Sequence, residues 1–87
     1  MDYNELKLTV LQRISMDGPT NSEVLRRKLA ESKITLDIHA LRMALMRYYK
    51  QGLLKRERSG GMFIYVVSER GTQRLRWLEA QAENTGD

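Results

Sequence analysis

Residues 41–67 read LRMALMRYYKQGLLKRERSGGMFIYVV, and this stretch decides the fold. Its first part has a helical period, because Leu41, Leu45 and Tyr48 recur at spacings of four and three residues. Gly52 ends that period, and a strand period of two residues follows it. A pair of glycines then interrupts the strand pattern before it resumes. The stretch therefore predicts a helix that leads directly into a β-hairpin.

The chain is short, and its charge is unevenly distributed. Its 87 residues allow one domain with a small core. The formal net charge is +4, yet residues 26–76 hold thirteen Lys or Arg against four Asp or Glu, a net charge of +9. Residues 1–25 and 77–87 carry net charges of −2 and −3. Such clustered cations are typical of a protein that binds a polyanion, although a solvated basic surface would show the same composition.

Composition also indicates the cellular setting. The chain has no cysteine, hence no disulfide framework and no thiolate metal site, which suits a reducing compartment. No uninterrupted apolar run approaches the roughly 18 to 20 residues that a membrane helix needs, so we expect no membrane association. The first residues lack the basic start and apolar stretch of a signal peptide. We therefore expect a cytoplasmic protein.

A first helix is predicted over residues 4–16. Its apolar side chains form one stripe, which consists of Leu6, Val10, Leu11 and Ile14. Leu8 lies off that stripe and leaves apolar surface for a partner. Gly18 and Pro19 end the helix, because glycine supplies a C-terminal stop and proline cannot continue the hydrogen-bond ladder.

A second helix follows at once. Thr20 and Glu23 have the spacing of a capping box, in which a hydroxyl caps the helix and a carboxylate reaches back to a free amide. The side chains expected to point inward are Val24, Leu25 and Leu29. Residues 31–33 are predicted to form the short turn that a helix-turn-helix requires.

The third helix is predicted to begin near Thr35 or Leu36 and to end at Gln51. At about 100° per residue, its inner face consists of Ile38, Leu41, Ala44, Leu45 and Tyr48. Its outer face consists of His39, Met43, Met46 and Lys50, with Arg42 and Arg47 on the flanks. No acidic side chain of this helix lies on that outer face, which is typical of a helix that enters a groove lined by phosphates.

The hairpin is predicted over residues 53–58 and 62–67, with a turn at residues 59–61. Ser68 is the expected N-cap of a final helix that runs to about Ala82, and Gly71 should weaken its first turn slightly. Residues 1–83 then form a single domain, and residues 84–87 form a frayed tail. The fold class is mostly α with a small β-hairpin, in the order α-α-α-β-β-α.

This order resembles the winged helix-turn-helix of PadR-like transcriptional regulators and, more loosely, of the MarR and ArsR types. The matching segments are Gly18-Pro19, Leu45-x2-Tyr48-x3-Gly52-Leu53-Leu54, and Tyr65-Val66-Val67-Ser68-Glu69-Arg70-Gly71. Together with the spacing between them, they extend over most of residues 14–78. The resemblance implies a homodimeric repressor.

The basic third helix and hairpin point to double-stranded DNA as the partner, and hence to a nucleoid-associated protein. Sequence specificity needs contacts with base edges, because phosphates are the same at every step. Arginine can pair with guanine, and methionine can pack on thymine methyl groups. The base-reading candidates are His39, Arg42, Met43, Met46 and Arg47.

Other cations are candidates for contact with phosphates, which supplies non-specific affinity through the release of counterions. They are Arg26, Arg27, Lys28, Lys50, Lys55, Arg56 and Arg58. Arg58, near the tip of the hairpin, could also enter the minor groove. Residues 26–28 could equally be an exposed helix face without a ligand. His39 could be a plain surface residue.

A dimer is expected to use the first and last helices, with Leu8, Trp77 and Leu78 as candidate contacts. Met43 and Met46 could instead pack under the hairpin or against a partner protein, because methionine adapts to protein surfaces. Two alternative functions therefore stay open. The domain could mediate protein interactions in a larger assembly, or it could bind DNA without sequence preference in an architectural or replication-associated role.

An enzymatic function is not expected. The sequence has no His/Cys cluster for a metal, no paired-carboxylate motif and no phosphate-binding glycine-rich loop. His39 is the only histidine, and no nearby residue in the sequence is suited to orient it as a catalytic base. We expect no cofactor, and the sequence does not indicate whether a small-molecule inducer exists.

Overall fold

The computed structural model describes residues 2–84, which form four helices and one antiparallel hairpin. Their order is α1 (Tyr3–Asp17), α2 (Ser22–Glu31), α3 (Ile38–Lys50), β1 (Leu54–Ser59), β2 (Met62–Val67) and α4 (Glu69–Asn84). The predicted class and order are confirmed: this is a winged helix-turn-helix, with the β1–β2 hairpin as its wing. None of these helices combines the length and apolarity needed to span a lipid bilayer.

One hydrophobic core joins all six elements. Its buried side chains are Val10, Leu11, Ile14, Leu25, Leu29, Leu41, Ala44, Leu45, Tyr48, Leu53, Leu54, Tyr65, Leu75 and Leu78. Burial of these apolar groups supplies most of the driving force for folding. Val24 and Ile38, which were expected to face inward, are only half-buried. They lie at the edges of the apolar faces of α2 and α3.

α1 is one residue longer at each end than predicted. Asp2 caps its N-terminus, because the carboxylate accepts a 2.8 Å hydrogen bond from the Glu5 amide. Gly18 ends the helix as expected: it has a φ of 78°, and its amide donates a 3.0 Å bond to the Ile14 carbonyl.

The predicted capping box of α2 is wrong by one residue. Asn21 is the N-cap, and its side-chain oxygen accepts a 2.9 Å bond from the Val24 amide. Thr20 instead pairs with Tyr65 of the wing, through amide-to-carbonyl bonds of 3.1 and 2.7 Å. This pairing holds Thr20 extended beside β2, so that the helix can begin only after it.

α3 begins two to three residues later than predicted. The carboxylate of Asp37 accepts hydrogen bonds from the amides of His39 and Ala40, so that Asp37 is the N-cap. Residues 34–37 remain outside both helices and lengthen the turn. At the other end, α3 stops at Lys50, and Gly52 adopts the expected left-handed conformation with a φ of 79°.

The wing has a tighter turn than predicted. Ser59 pairs with Met62, so that the turn consists of Gly60 and Gly61 alone. Their φ values of 56° and 79° are both positive, as a type I′ turn requires. β1 also starts one residue later than expected, because Leu53 belongs to the junction with α3.

Ser68 caps α4 as predicted, and Gly71 has a stronger role than expected. The Ser68 hydroxyl donates to the Gly52 carbonyl and accepts a 2.9 Å bond from the Gly71 amide. A Cβ atom on Gly71 would lie 1.9 Å from the Leu53 carbonyl oxygen, so the helix can approach the α3–β1 junction only with glycine here. α4 continues to Asn84, two residues beyond the predicted end, and residues 85–87 of the expected tail lie outside the described residues.

Candidate nucleic-acid interface

The outer face of α3 is exposed, as its helical period predicts. His39, Met43, Met46 and Lys50 all reach the surface, and 59% of Met43 and 41% of Met46 is accessible. The opposite face is held in the core by its leucines and by Tyr48 (see above). Since that anchoring determines the rotation of the helix, it presents His39, Met43 and Met46 on the exposed face, with Arg42 and Arg47 on its two flanks.

Arg42 lies on the flank of α3 that faces α2. Its Nε is 3.4 Å from the Ser22 hydroxyl, and its Nη2 is 3.9 Å from a carboxylate oxygen of Glu23. The sequence did not reveal this neighbouring acid, because Glu23 belongs to another helix. An exposed ion pair of this length is weak and screened by salt, so a phosphate or a base can replace it at little cost.

Arg47 lies on the other flank and has different neighbours. Its guanidinium carbon is 5.9 Å from the ring centroid of Tyr3, on α1. The two flanking arginines therefore point to opposite sides of α3, one towards α2 and the wing and one towards α1.

The wing presents two arginines on the face that it turns towards α3. Arg56 and Arg58 pair across the hairpin with Tyr65 and Phe63. The guanidinium carbon of Arg56 lies 3.9 Å from the ring centroid of Tyr49 and 4.0 Å from that of Phe63. A cation placed over aromatic rings at such distances is attracted to their negative faces. Arg58 is 5.3 Å from the Phe63 ring, nearer the tip.

A groove of about 380 Å³ separates the wing from the helices. It is lined by Ser22, Arg42, Met46, Arg56, Gly61, Met62, Phe63 and Tyr65. The structure thus brings together Arg42 and Met46, predicted to read bases, and Arg56, predicted to contact phosphate. Two of the three are guanidinium groups, so this groove has a cationic wall on either side.

The other predicted phosphate contacts are dispersed. Arg26 and Arg27 are exposed on α2, and Lys55 lies on the face of the hairpin that points away from Arg56. Lys28 is not free, because its ammonium is 3.2 Å from the Asp17 carboxylate.

Asp17 binds a second cation as well. Arg13 donates to it at 2.9 Å, and this hydrogen bond holds the pKa of the Asp17 carboxyl below its ordinary value, with further help from Lys28 and against the effect of burial. Lys28 is therefore part of an ion-pair cluster at the end of α1, which leaves it less available to a phosphate than Arg26 or Arg27.

The three predicted dimer contacts line one groove between α1 and α4. This groove measures about 350 Å³ and is lined by Asp2, Asn4, Glu5, Leu8, Trp77, Leu78, Gln81 and Ala82. Trp77 is 52% exposed at its rim, whereas Leu78 is only 4% exposed and belongs to the core. Leu78 can thus contribute only the floor of such a surface, and Leu8 and Trp77 would supply most of the contact area.

The described residues show no grouping of side chains that is typical of catalysis. His39 is exposed near the start of α3, and its imidazole makes no hydrogen bond or ion pair within residues 2–84. In the same range, no group of three or more His, Asp or Glu is placed to hold a metal ion. Burial raises the pKa of the Tyr48 hydroxyl, but this ring is part of the core.

Comparison with known proteins gives the fold a context. No protein-family model matches the chain, and no curated protein matches it. A PadR family transcriptional regulator from Eggerthella lenta DSM 2243 is 27% identical, with 90% of this chain and 71% of that chain covered and a TM-score of 0.79.

Two further solved structures are more distant in sequence. A PadR-like transcription factor from Bacteroides fragilis is 21% identical, with 92% of this chain and 82% of that chain covered and a TM-score of 0.82. The reduced form of the transcriptional regulator YodB from B. subtilis is 19% identical, with 100% and 83% covered and a TM-score of 0.66. The element order and the wing identify the fold as a winged helix-turn-helix, which is similar to the fold of the PadR family transcriptional regulator from Eggerthella lenta.

Proposed function

We propose that this protein is a transcriptional regulator that binds double-stranded DNA in a sequence-specific manner. The observation that carries the proposal is the exposed edge of α3, with methionines and cations along it, beside a wing whose Arg56 faces the same groove. An α-helix of this kind fits the major groove of B-DNA, while the wing reaches the neighbouring backbone. The solved structures that the chain resembles are transcriptional regulators, which supports this function rather than an enzymatic one.

Base reading is proposed for five side chains of α3, which are His39, Arg42, Met43, Met46 and Arg47. Because Arg42 and Arg47 lie on opposite flanks, they would contact bases at different positions of the site. A bidentate pair between arginine and guanine discriminates against other bases by about 1–3 kcal/mol. The two methionines would pack on thymine methyl groups between these positions.

Phosphate contacts are proposed for the cations around that edge. The exposed ones are Arg26, Arg27, Lys50, Lys55 and Arg58, and the half-buried Arg56 joins them. Lys28 would join them only by giving up its ion pair with Asp17. Arg58, near the tip of the wing, would enter the minor groove, where the potential is most negative if the groove is narrow.

We further propose that the protein is a homodimeric repressor in the cytoplasm, bound to the nucleoid. The groove between α1 and α4 offers Leu8 and the exposed Trp77 to a second copy, within a rim of polar side chains. Two copies related by a two-fold axis would read a pseudo-palindromic site with half-sites about one helical turn apart. A reporter gene under a selected operator would test repression, because a repressor should lower its expression.

Selection of bound sequences from a random duplex pool is the direct test of specificity. A consensus site should emerge, and Arg42→Ala and Arg47→Ala should each weaken binding to it without unfolding the domain. Arg76→Ala is the matched control, because Arg76 is an exposed cation of α4 outside the proposed interface. Unchanged binding in both α3 variants would remove α3 from the interface.

Sedimentation tests the proposed dimer independently of DNA. Wild-type protein should sediment as a dimer at high micromolar concentration, and Trp77→Asp should shift it towards the monomer by placing a charge in the groove. A wild-type protein that is monomeric at that concentration would refute this mode of assembly.

A second candidate function is that of a protein-interaction module, which the exposure of Met43 and Met46 favours. A mobility shift with random duplex DNA at low salt separates the two, because only a DNA binder should retard the duplex. If the shift occurs but unrelated competitor removes the protein as well as the selected site does, the domain binds DNA without sequence preference.

A further inference from the structure

A second group of cations lies on the other side of α3, away from the wing. It consists of Lys7 on α1, Arg47 on α3, and Arg70 and Arg74 on α4. Within residues 2–84, no carboxylate forms an ion pair with any of these four side chains. The sequence gives little sign of this group, because its members lie as far as 67 positions apart.

Three of these cations line a surface cleft of about 240 Å³. The cleft is bounded by Lys7, Gln51, Leu53, Arg70 and Arg74. It shares no lining residue with the groove beside the wing. It is therefore a concave surface separate from that groove, although Lys7 and Gln51 also lie beside Arg47, which is a proposed base reader.

The packing of α4 explains why the arginines converge there. Gly71 lets the first turn of α4 approach the Leu53 carbonyl, and this contact places Arg70 beside the end of α3. The Cδ of Arg70 is only 3.4 Å from the position of a Cβ on Gly52. Arg74 follows one turn later on the same face of α4, since residues four apart are neighbours on a helix. The cleft is thus built on the core junction between α3, β1 and α4.

No ion pair within residues 2–84 offsets the charge of this cleft. Burial, and then the positive fields of Arg74 and Arg47, hold the pKa of the Lys7 ammonium below its ordinary value. The same ammonium lies 5.7 Å from the ring centroid of Tyr48, so Lys7 packs along the core. A lysine on an ordinary solvated surface would extend into water, away from positive charges such as those of Arg47 and Arg74. Folding therefore holds like charges near one another here, and a bound anion would offset their repulsion.

We propose that this cleft binds a ligand that carries adjoining phosphates, such as a pyrophosphate or triphosphate group. The cleft has two guanidinium groups one helical turn apart and an ammonium group opposite them. Three cations match a ligand with several phosphate oxygens better than they match a single monoanion. Arginine binds phosphate in bidentate fashion, and lysine adds a point charge. The ligand is either a free polyphosphorylated molecule or the backbone of a nucleic acid, and the inference goes beyond the proposed reading of bases by α3.

Calorimetric titration with inorganic triphosphate tests the site directly. Wild-type protein should bind it, and Arg74→Gln should raise Kd about tenfold, which is about 1.4 kcal/mol, because one charge-assisted contact to the phosphates is lost. Arg76→Gln removes the same charge from the same helix outside the cleft, and it should change Kd less than about twofold. Absence of binding to the wild type, or an equal loss in both variants, would overturn the proposal.

The pKa of Lys7 gives a second test, which distinguishes binding in the cleft from a general attraction of the anion to a basic protein. In NMR titrations, triphosphate should raise the pKa of the Lys7 ammonium, because the anion offsets the neighbouring arginines. Lys33, an exposed lysine outside the cleft, is the control and should shift less. An equal change at both lysines would indicate general ion binding and would count against a site.

A DNA mobility shift distinguishes the two sources of phosphate. If Arg74→Gln weakens DNA binding and triphosphate competes with the duplex, the cleft holds backbone phosphates. If Arg74→Gln leaves DNA affinity unchanged but lowers triphosphate affinity, the ligand is a free molecule. Failure of the wild type to bind any DNA would contradict the proposed function but not the site, which the triphosphate titration decides by itself.

Discussion

The guanidinium carbon of Arg56 lies 3.9 Å from the ring centroid of Tyr49, so that a side chain of the wing is stacked on a side chain of α3. Phe63 covers the guanidinium from another side, at 4.0 Å. The contact links the two elements proposed to bind DNA and limits how the wing can move relative to the helix. An interface organised in this way before binding loses less conformational entropy when DNA arrives.

Replacement of Tyr49 by alanine should loosen the wing. A cation over an aromatic ring contributes about 0.5–1 kcal/mol at an exposed site, so Tyr49→Ala should lower the free energy of unfolding by about that amount. DNA affinity should fall as well, since the wing would have to be ordered on binding. Urea denaturation and a mobility shift measure the two effects. Tyr49→Phe keeps the ring and should behave as the wild type; equal losses in both variants would assign the effect to the hydroxyl.

Gly71→Ala should destabilise the domain, although helix propensity predicts the opposite. Alanine is favoured over glycine in a helix by about 1 kcal/mol. Here, however, the new Cβ would meet the Leu53 carbonyl oxygen at 1.9 Å and Val67 Cγ1 at 2.8 Å, so that α4 must shift. Overpacking of this kind costs about 1–3 kcal/mol, which should lower the urea midpoint. Gln73→Ala, at an exposed position of the same helix, is the control. A raised urea midpoint for Gly71→Ala would show that α4 does not approach the Leu53 carbonyl this closely.

Asp17 should make stability depend on acid pH. The hydrogen bond from Arg13 lowers the pKa of Asp17 in the folded state, so the unfolded chain takes up the proton more readily. The resulting stabilisation is present above the ordinary pKa of 3.8 and is lost as the pH falls through the lower folded value. Thermal melts of Asp17→Asn should therefore converge with those of the wild type at low pH. Glu83→Gln, at an exposed position that forms no ion pair within residues 2–84, should keep the wild-type dependence. A constant difference between Asp17→Asn and wild type would exclude this linkage.

DNA affinity should fall steeply with salt. If about six cations of each protomer neutralise phosphates, a plot of the logarithm of the association constant against the logarithm of salt concentration should have a slope of about −5 per protomer. Removal of one such cation, in Arg58→Ala, should make the slope shallower by about 1. Arg76→Ala should leave it unchanged. An affinity insensitive to salt between low and physiological concentrations would contradict phosphate binding.

Local patterns in the sequence were sufficient to predict the element order and the two faces of α3. A helical period depends only on residues three or four positions apart, and Gly18, Gly52 and Ser68 end or begin helices through bonds to near neighbours. The residues of the proposed base-reading edge were accordingly found from the sequence, because exposure follows from the same period. These predictions needed no knowledge of how the helices and the hairpin pack against one another.

Long-range contacts determined what local patterns left open. Thr20 pairs with Tyr65, and for this reason the N-cap of α2 is Asn21 and not the predicted Thr20. Gly71, which has a weak helix propensity, is required by a carbonyl from another element. Such contacts join residues far apart in the chain, so no short window of sequence contains both partners.

Long-range contacts also decide which cations form the groove beside the wing and which form the cleft at α4. Composition showed that the chain is basic, but only the packing of α1, α3 and α4 places Lys7 beside Arg70 and Arg74 in one cleft. It likewise places Arg56 between Tyr49 and Phe63 and leaves Lys28 paired with Asp17. The sequence by itself therefore determined that this is a basic winged helix, and the tertiary structure decided which of its cations converge and which are neutralised, because electrostatic interaction depends on distance in space and not on separation along the chain.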